Sequence, residues 1–227
     1  MKIALVGPGK MGRAVSLNLT REEEVLIIGR GEERAKALAE EMGWPYSLDI
    51  KDVKDADIIL FILDAHMLNP VMAEAAAAAK AGAVMLNVAT KGVVDRELIE
   101  KYPRLRFADG KIIGSAVGIQ RGLPGFMVVK TQEQGIYEMV KKILPGFKDV
   151  VQGDADLVPK INSIGSKEGI RAAVIIQKEL EQYDIPKEWA DMVVGCVCTG
   201  TIMAYVDNIL GHFAAELAEK IRQELGE

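Results

Sequence analysis

KIALVGPGKMG, Lys2 to Gly12, is the stretch from which the rest of the chain can be read. Lys2 to Val6 predicts a short, apolar β-strand, and Gly7, Gly9 and Gly12 follow it in G-x-G-x-x-G spacing. Arg13 to Leu19 then continues with helix-compatible residues. A strand, a glycine turn and a helix in that order make a dinucleotide fingerprint. Gly7 permits the tight turn, Gly9 lets the backbone approach a pyrophosphate, and Gly12 lets helix and strand pack closely. The first helical amides, at Lys10 and Met11, are aided by the helix dipole and favour an anion. Pro8 has no amide proton, so the loop offers one donor fewer than it otherwise would. The plain alternative is a glycine-rich turn that only joins strand to helix.

Working outward, Val25 to Ile28 is the next apolar run and ends at Gly29-Arg30, about twenty residues past the glycines. An NAD site would place Asp or Glu there for the ribose 2′-hydroxyl. Arg30 stands in that place, and a guanidinium accepts a 2′-phosphate that an acid would repel. The expected cofactor is therefore NADP, against the alternative that Arg30 merely pairs with Glu32 or Glu33 at the surface.

Farther along, Glu32 to Met42 alternates charge with Ala and Leu as a helix does, and Gly43 stops it. Strands are expected at Tyr46–Leu48, Asp57–Leu63, Val84–Val88, Lys111–Ala116, Phe126–Val129 and Asp149–Gln152. Helices are expected at Pro70–Ala79, Arg96–Tyr102 and Gln132–Ile143. This alternation predicts an α/β fold, a doubly wound Rossmann sheet over residues 1–152 that binds NADP. Past Gly153 no strand is predicted. Two long helical stretches, Asp156–Tyr183 and Lys187–Leu225, form a small all-helical C-terminal domain, residues 153–227, assigned to substrate binding and dimerisation. So small a domain, apolar around much of its circumference, is expected to bury the excess in a homodimer.

Composition sets limits on function. The chain has 227 residues, is 49% hydrophobic and carries a net charge of -5, which gives ample core and no basic footprint for nucleic acid. No signal-like segment precedes the first strand, so cytoplasmic residence is expected. The longest uncharged run, Met192 to Val206, is about fifteen residues against the roughly twenty that span a bilayer. It reads as a buried helix, with no membrane partner. Cys196 and Cys198, the only cysteines, read as small buried residues of a reducing compartment. No zinc spacing or other metal site is evident, and neither a Ser-His-Asp order nor a phosphate-transfer Lys motif is present.

Taken together, LVGPGKMGRAV, IIGR, ADIILFIL, VMLNVATKGV and the run SIGSKEGIRAAVIIQKEL…YDIPKEWADMVVGCVCTGTIMA resemble the pyrroline-5-carboxylate reductases. These belong to a wider group of dehydrogenases, the 6-phosphogluconate dehydrogenase-like superfamily, that pair a Rossmann domain with helices. The resemblance implies NADPH-dependent reduction of a small imine by a cytoplasmic dimer built from the C-terminal helices. Leu63 and Asp64 are expected along the cofactor, and Asn87, Ala89, Thr90 and Lys91 follow a strand at the carboxyl edge of the sheet, where ligands bind in doubly wound folds. This puts Ala89 beside the nicotinamide and Lys91 near a phosphate or substrate acid, the alternative being that Thr90 and Lys91 only begin a loop. Three stretches depart from that family. Asp64-Ala65 replaces its strand-end lysine-proline, IIGSAVGIQRGLPG lacks its Met-Pro-Asn loop, and only SIGSKE, Ser163 to Glu168, matches its substrate turn.

A second similarity, in GDADLVPKINSIGS, is to β-hydroxyacid dehydrogenases, in which a lysine and a nearby asparagine serve the substrate. On that pattern Lys160, Asn162 and Ser163 are the catalytic candidates. Lys160 would protonate a developing alkoxide or amine if partly buried, and Ser163 would orient a carboxylate. The alternative for Lys160 is a solvated lysine on an amphipathic helix. Asp64 and His66 are a further candidate proton-transfer pair, and His212 reads as structural. Two other functions compete with imine reduction: a β-hydroxyacid dehydrogenase-like reductase, and a non-catalytic NADP-binding regulatory protein.

Overall fold

Runs of β-branched and aliphatic residues with both faces apolar form the centre of a parallel sheet, because helices must cover each face. In the computed structural model, which describes residues 1–226, these runs are β1 (Lys2–Val6), β2 (Glu24–Ile28), β4 (Ile58–Phe61) and β5 (Val84–Asn87). With β3 (Tyr46–Ser47), β6 (Arg106–Ile113), β7 (Phe126–Lys130) and β8 (Asp149–Gln152) they make an eight-stranded sheet in the order β3-β2-β1-β4-β5-β6-β7-β8. Every pairing is parallel except β6 with β7.

Alternation along β1 divides the core in two. Ile3 and Leu5 join Ala14, Val15, Ile136 and Val140 on one face, beneath α1 (Lys10–Ser16) and α6 (Gln134–Ile143). Ala4 and Val6 join Leu68, Met72 and Leu98 on the other, beneath α3 (Ala65–Ala78) and α4 (Arg96–Lys101). A third helix, α2 (Glu32–Met42), packs Leu38 and Ala39 on Ile27 and ends at Gly43 in the left-handed conformation, as its sequence predicts.

Several boundaries differ from the sequence expectation. α3 begins at Ala65, and Pro70 lies inside it, because a proline near a helix start forfeits only one early hydrogen bond. The far end of α3 is closed by Arg104, whose guanidinium donates to the carbonyls of Ala79 at 2.8 Å and Ala76 at 2.7 Å. β6 begins five residues before Lys111, at Arg106, and leads into a helix that sequence reasoning missed, α5 (Ala116–Gln120), capped by the Ser115 hydroxyl.

Two compact units are present, Met1–Asn162 and Ser163–Glu227. The residues from Gly153 to Asn162, assigned from sequence to the helical domain, belong with the first. Ala155 and Val158 are buried beside Val128, and the Asn162 amide donates to the Ile112 carbonyl at 2.8 Å. The second unit contains most of α7 (Val158–Leu180), then α8 (Lys187–Met192), a π-helical turn (Val193–Cys198), α9 (Thr199–Val206) and α10 (His212–Glu224). The expected single helix from Lys187 is broken after Val206, where Asn208 takes φ 57° and Gly211 caps α10.

None of the residues of α8, the π-helical turn, α9 or α10 is buried. This corrects two expectations. The Met192–Val206 run is not a buried helix within the chain, and Cys196 is exposed while Cys198 is only half-buried. Lys187–Val206, 20 residues of mean hydropathy 1.4, is long and apolar enough to cross a membrane by length and composition alone.

Candidate nucleotide-binding site

β1 ends in the glycine loop, and the backbone there explains each glycine. Gly7 takes φ 108°, and a Cβ on it would stand 2.2 Å from the Ile62 carbonyl oxygen. A Cβ on Gly12 would stand 2.1 Å from the Gly7 carbonyl oxygen, so α1 packs on the turn at backbone contact. Gly9 differs from both, since nothing lies within 4 Å of where its Cβ would be. The space beside Gly9 is a place for a ligand to approach the backbone. Gly9 is also the N-cap of α1 and no side chain caps the helix, which leaves its opening amides to a bound anion. The residues present therefore fit a dinucleotide pyrophosphate.

Beside the loop, a cleft of about 410 Å³ lies between α1 and α2. Its walls include Pro8, Gly9, Lys10, Arg34, Leu38 and Gln120. Gln120, from α5, donates to the Lys10 carbonyl at 2.5 Å and accepts from Arg13 at 2.8 Å. Arg13 is in turn held by Glu41 through two hydrogen bonds, of 2.7 and 2.6 Å. This chain of contacts fixes the start of α1 relative to α2. Sequence reasoning missed both Gln120 and Arg34. Arg34 lies four residues past Arg30, in the first turn of α2, so its signal was present in the sequence, whereas Gln120 comes from a helix that was not predicted.

Arg30 is exposed at the end of β2 and makes no hydrogen bond or ion pair among the described residues. The surface pairing with Glu32 or Glu33 is not formed, and Glu32 accepts instead from the Tyr46 hydroxyl. Its guanidinium is thus available to a phosphate, although Arg30 is not one of the residues lining the cleft.

At the carboxyl edge of β5 a buried polar cluster supports the loop from Val88 to Gly92. Asn87 donates to Asp109, its register partner on β6, at 2.6 Å and to the Gly92 carbonyl at 2.9 Å, and it accepts from the Ala89 amide at 3.1 Å. Lys111 is 3% exposed and donates to the carbonyls of Ala89 at 2.5 Å and Gly92 at 2.9 Å, with Asp109 at 3.4 Å. Burial pushes the Lys111 ammonium below the ordinary lysine range, and Asp109 opposes that shift. Ala89 is buried, Thr90 half-buried and Lys91 exposed.

The remaining candidates are dispersed. Leu63 is half-buried and Asp64 exposed, at the end of β4. Asp64 occupies the N-cap position of α3 without capping it, and no hydrogen bond joins it to the exposed His66. Lys160 and Ser163 lie on α7 and both are exposed, so the partial burial expected to tune Lys160 is not present in the chain. Asn162 is committed elsewhere. Its side chain donates to Ile112 and accepts from the Gly114 amide at 3.4 Å, a clamp on the β6–α5 turn. His212 faces Glu216 one turn along α10 at 3.4 Å. Among the described residues, no three His, Cys, Asp or Glu side chains are grouped to hold a metal.

This geometry agrees with what the chain is similar to. Residues 2–91 match the family described as NADP oxidoreductase, coenzyme F420-dependent. That segment is similar to the NADP-oxidoreductase domains of the family. The fold is shared with a pyrroline-5-carboxylate reductase from Coxiella burnetii, 16% identical over 96% of this chain and 84% of that one, with a TM-score of 0.74. It is shared also with 1-pyrroline-5-carboxylate reductase from Streptococcus pyogenes, at 19% identity, 100% and 92% coverage and a TM-score of 0.66. The 3-hydroxyisobutyrate dehydrogenase of Mycobacterium tuberculosis, solved with L-serine, matches at 17% identity, 86% and 70% coverage and a TM-score of 0.63. Comparison with curated protein sequences returns no match. The expected Rossmann sheet followed by helices is therefore borne out as a fold.

Proposed function

We propose that the chain is an NADP-dependent reductase of a small imine, similar in activity to the pyrroline-5-carboxylate reductases. The observation that carries this is the open backbone cradle at Gly9 together with the unpaired Arg30 at the end of β2. NADPH, when bound, supplies the hydride. The chain's own residues hold and orient it: Gly7 to Gly12 the pyrophosphate, Arg30 and Arg34 the 2′-phosphate, and the Leu63–Asp64 and Ala89–Lys91 loops the nicotinamide end. Lys160 is the candidate proton donor and Ser163 the candidate carboxylate ligand.

A second reading, reduction of a β-keto acid or oxidation of a β-hydroxy acid, rests on the similarity of Gly153–Ser166 to the β-hydroxyacid dehydrogenases and on Lys160 and Ser163, both exposed on α7. NADPH oxidation measured against a panel of cyclic imino acids and β-keto acids separates the two. Turnover of imino acids alone supports the first reading. NADPH binding without turnover of any member indicates a regulatory protein, and a parallel assay with reduced coenzyme F420 and NADP covers the donor named by the matching family. If Lys160 is the donor, Lys160→Ala lowers kcat at least tenfold on the substrate so found. Unaltered turnover returns Lys160 to the solvated face.

We further propose a homodimer through the C-terminal helices, supported by Ile170, Trp189, Ile202, Val206 and Phe213, each of which is more than half exposed in the single chain. The free cysteines accord with a reducing, cytoplasmic compartment.

A further inference from the structure

Lys111 is the one charged residue among the described residues that is buried as a whole, and no role assigned above uses it. An ammonium offers three hydrogens and no acceptor, and three oxygens surround this one: the Ala89 and Gly92 carbonyls and the Asp109 carboxylate. Asn87 completes the arrangement from the neighbouring strand. It accepts from the Ala89 amide, while its own amide donates to the Gly92 carbonyl that Lys111 also holds. Ala89 is thus bound on both sides of its backbone, by Asn87 through its N–H and by Lys111 through its C=O. Gly92 closes the loop with a hydrogen bond from its amide to the Ala89 carbonyl, of 3.1 Å, and leaves no room for a larger residue, since a Cβ there would lie 2.7 Å from Leu68.

Burying an ammonium costs free energy that surface placement would avoid. A structural loop turn could be closed by an uncharged side chain at less cost. What the ammonium adds is a fixed point on two carbonyls at once, from a strand that reaches past the end of its parallel neighbour. β5 stops at Asn87, level with Asp109, whereas β6 continues to Ile113. That overreach puts Lys111 directly beneath the loop.

We propose that Lys111 is a positioning residue for the nicotinamide end of the cofactor, holding the Ala89–Gly92 loop in its binding conformation from below without touching the cofactor. The proposal rests on the reading of this loop as part of an NADP site. It assigns Lys111 to one half of the ligand only, because the phosphate-binding half is built on Gly7 to Gly12 and Arg30, with which Lys111 makes no contact.

The test compares two probes, NADPH and adenosine 2′,5′-bisphosphate, which keeps the 2′-phosphate and adenosine but lacks the nicotinamide. Dissociation constants are measured by calorimetry for the wild type and for Lys111→Met. The expected result is at least a tenfold loss of NADPH affinity with the bisphosphate affinity within twofold of wild type. Equal losses for both probes, or no loss for either, overturn the proposal, since a merely structural lysine would move the two together. Far-ultraviolet circular dichroism and the thermal transition establish separately that the variant is folded. Should Lys111→Met not fold, Lys111→Gln, which keeps a neutral donor in the slot, is read by the same ratio. A wild-type protein that binds neither probe overturns the cofactor reading itself, and so is distinguishable from failure at Lys111.

Discussion

Arg30 is the residue on which cofactor choice turns. It is exposed, unpaired and placed at the end of β2, so its guanidinium pays no penalty for giving up an internal partner when a phosphate arrives. Charge-assisted hydrogen bonds of this kind are worth about 1.5–3 kcal/mol, and about 1.4 kcal/mol is tenfold in affinity. Arg30→Ala is expected to lower the ratio of NADPH to NADH affinity at least tenfold, measured by fluorescence titration of both dinucleotides. An unchanged ratio would sink the assignment. Arg30 was legible in sequence because the distance from the glycines to the end of the second strand is set by a single β-α-β unit. Lys111 was not legible. As the presumed first residue of a strand it looked peripheral, and its burial follows from where β6 lies beside β5, a register that no local pattern records.

At the level of elements, the start of β4 is tied to β1 through one carboxylate. Asp57 accepts from the Lys80 ammonium at 2.6 Å and from the Lys2 amide at 2.7 Å. The Lys80 hydrogen bond and then the Lys2 amide hold its carboxyl below the ordinary aspartate range. A carboxylate whose pKa is depressed on folding contributes stability above its unfolded pKa and loses it as pH falls through the folded one. Asp57→Asn is therefore expected to cost about 0.5–1 kcal/mol at pH 7, allowing for surface screening. In urea unfolding followed from pH 7 to pH 2.5, the gap from wild type should close below about pH 4, the ordinary aspartate value. A gap independent of pH would mean that the charge is not what matters. Among the elements, the buried strands could be recognised one by one, since each is an apolar run between turn residues. α5 and the early part of β6 could not, because RFADGKII carries three charges, Arg106, Asp109 and Lys111, at positions that only the β5 and β7 neighbours make strand-like.

For the whole molecule, the two units differ in how they use their apolar residues. The first buries them on both faces of a sheet. In the second, from Ser163 onward, none of the described residues is buried, although the segment is rich in Val, Ile and Met. If a second copy covers those side chains, sedimentation equilibrium should give about twice the chain mass of 24.7 kDa at micromolar concentration. A monomer that stays soluble at that concentration would remove the dimer from the proposal. Fold class and helical C-terminus were legible from the whole chain because alternation of strand and helix is a global pattern. Substrate-contacting residues were not, because Lys160, Asn162 and Ser163 share a stretch of helix whose sequence does not reveal that Asn162 is engaged by the backbone of β6.

The reversal between β6 and β7 has a consequence for how such a chain can diversify. A parallel pair needs a crossover helix of fixed length, so insertions or replacements there are felt through the sheet. An antiparallel pair needs only a connection that returns, and here residues 114–125 supply it as a short helix between two turns. No strand pairing depends on its length, although Gln120 within it also holds Lys10 and Arg13 at the start of α1. It is also where this chain parts from the Met-Pro-Asn loop of the reductases it resembles. If that connection contributes to substrate choice, exchanging it between relatives should change selectivity while the strand order of the sheet is kept.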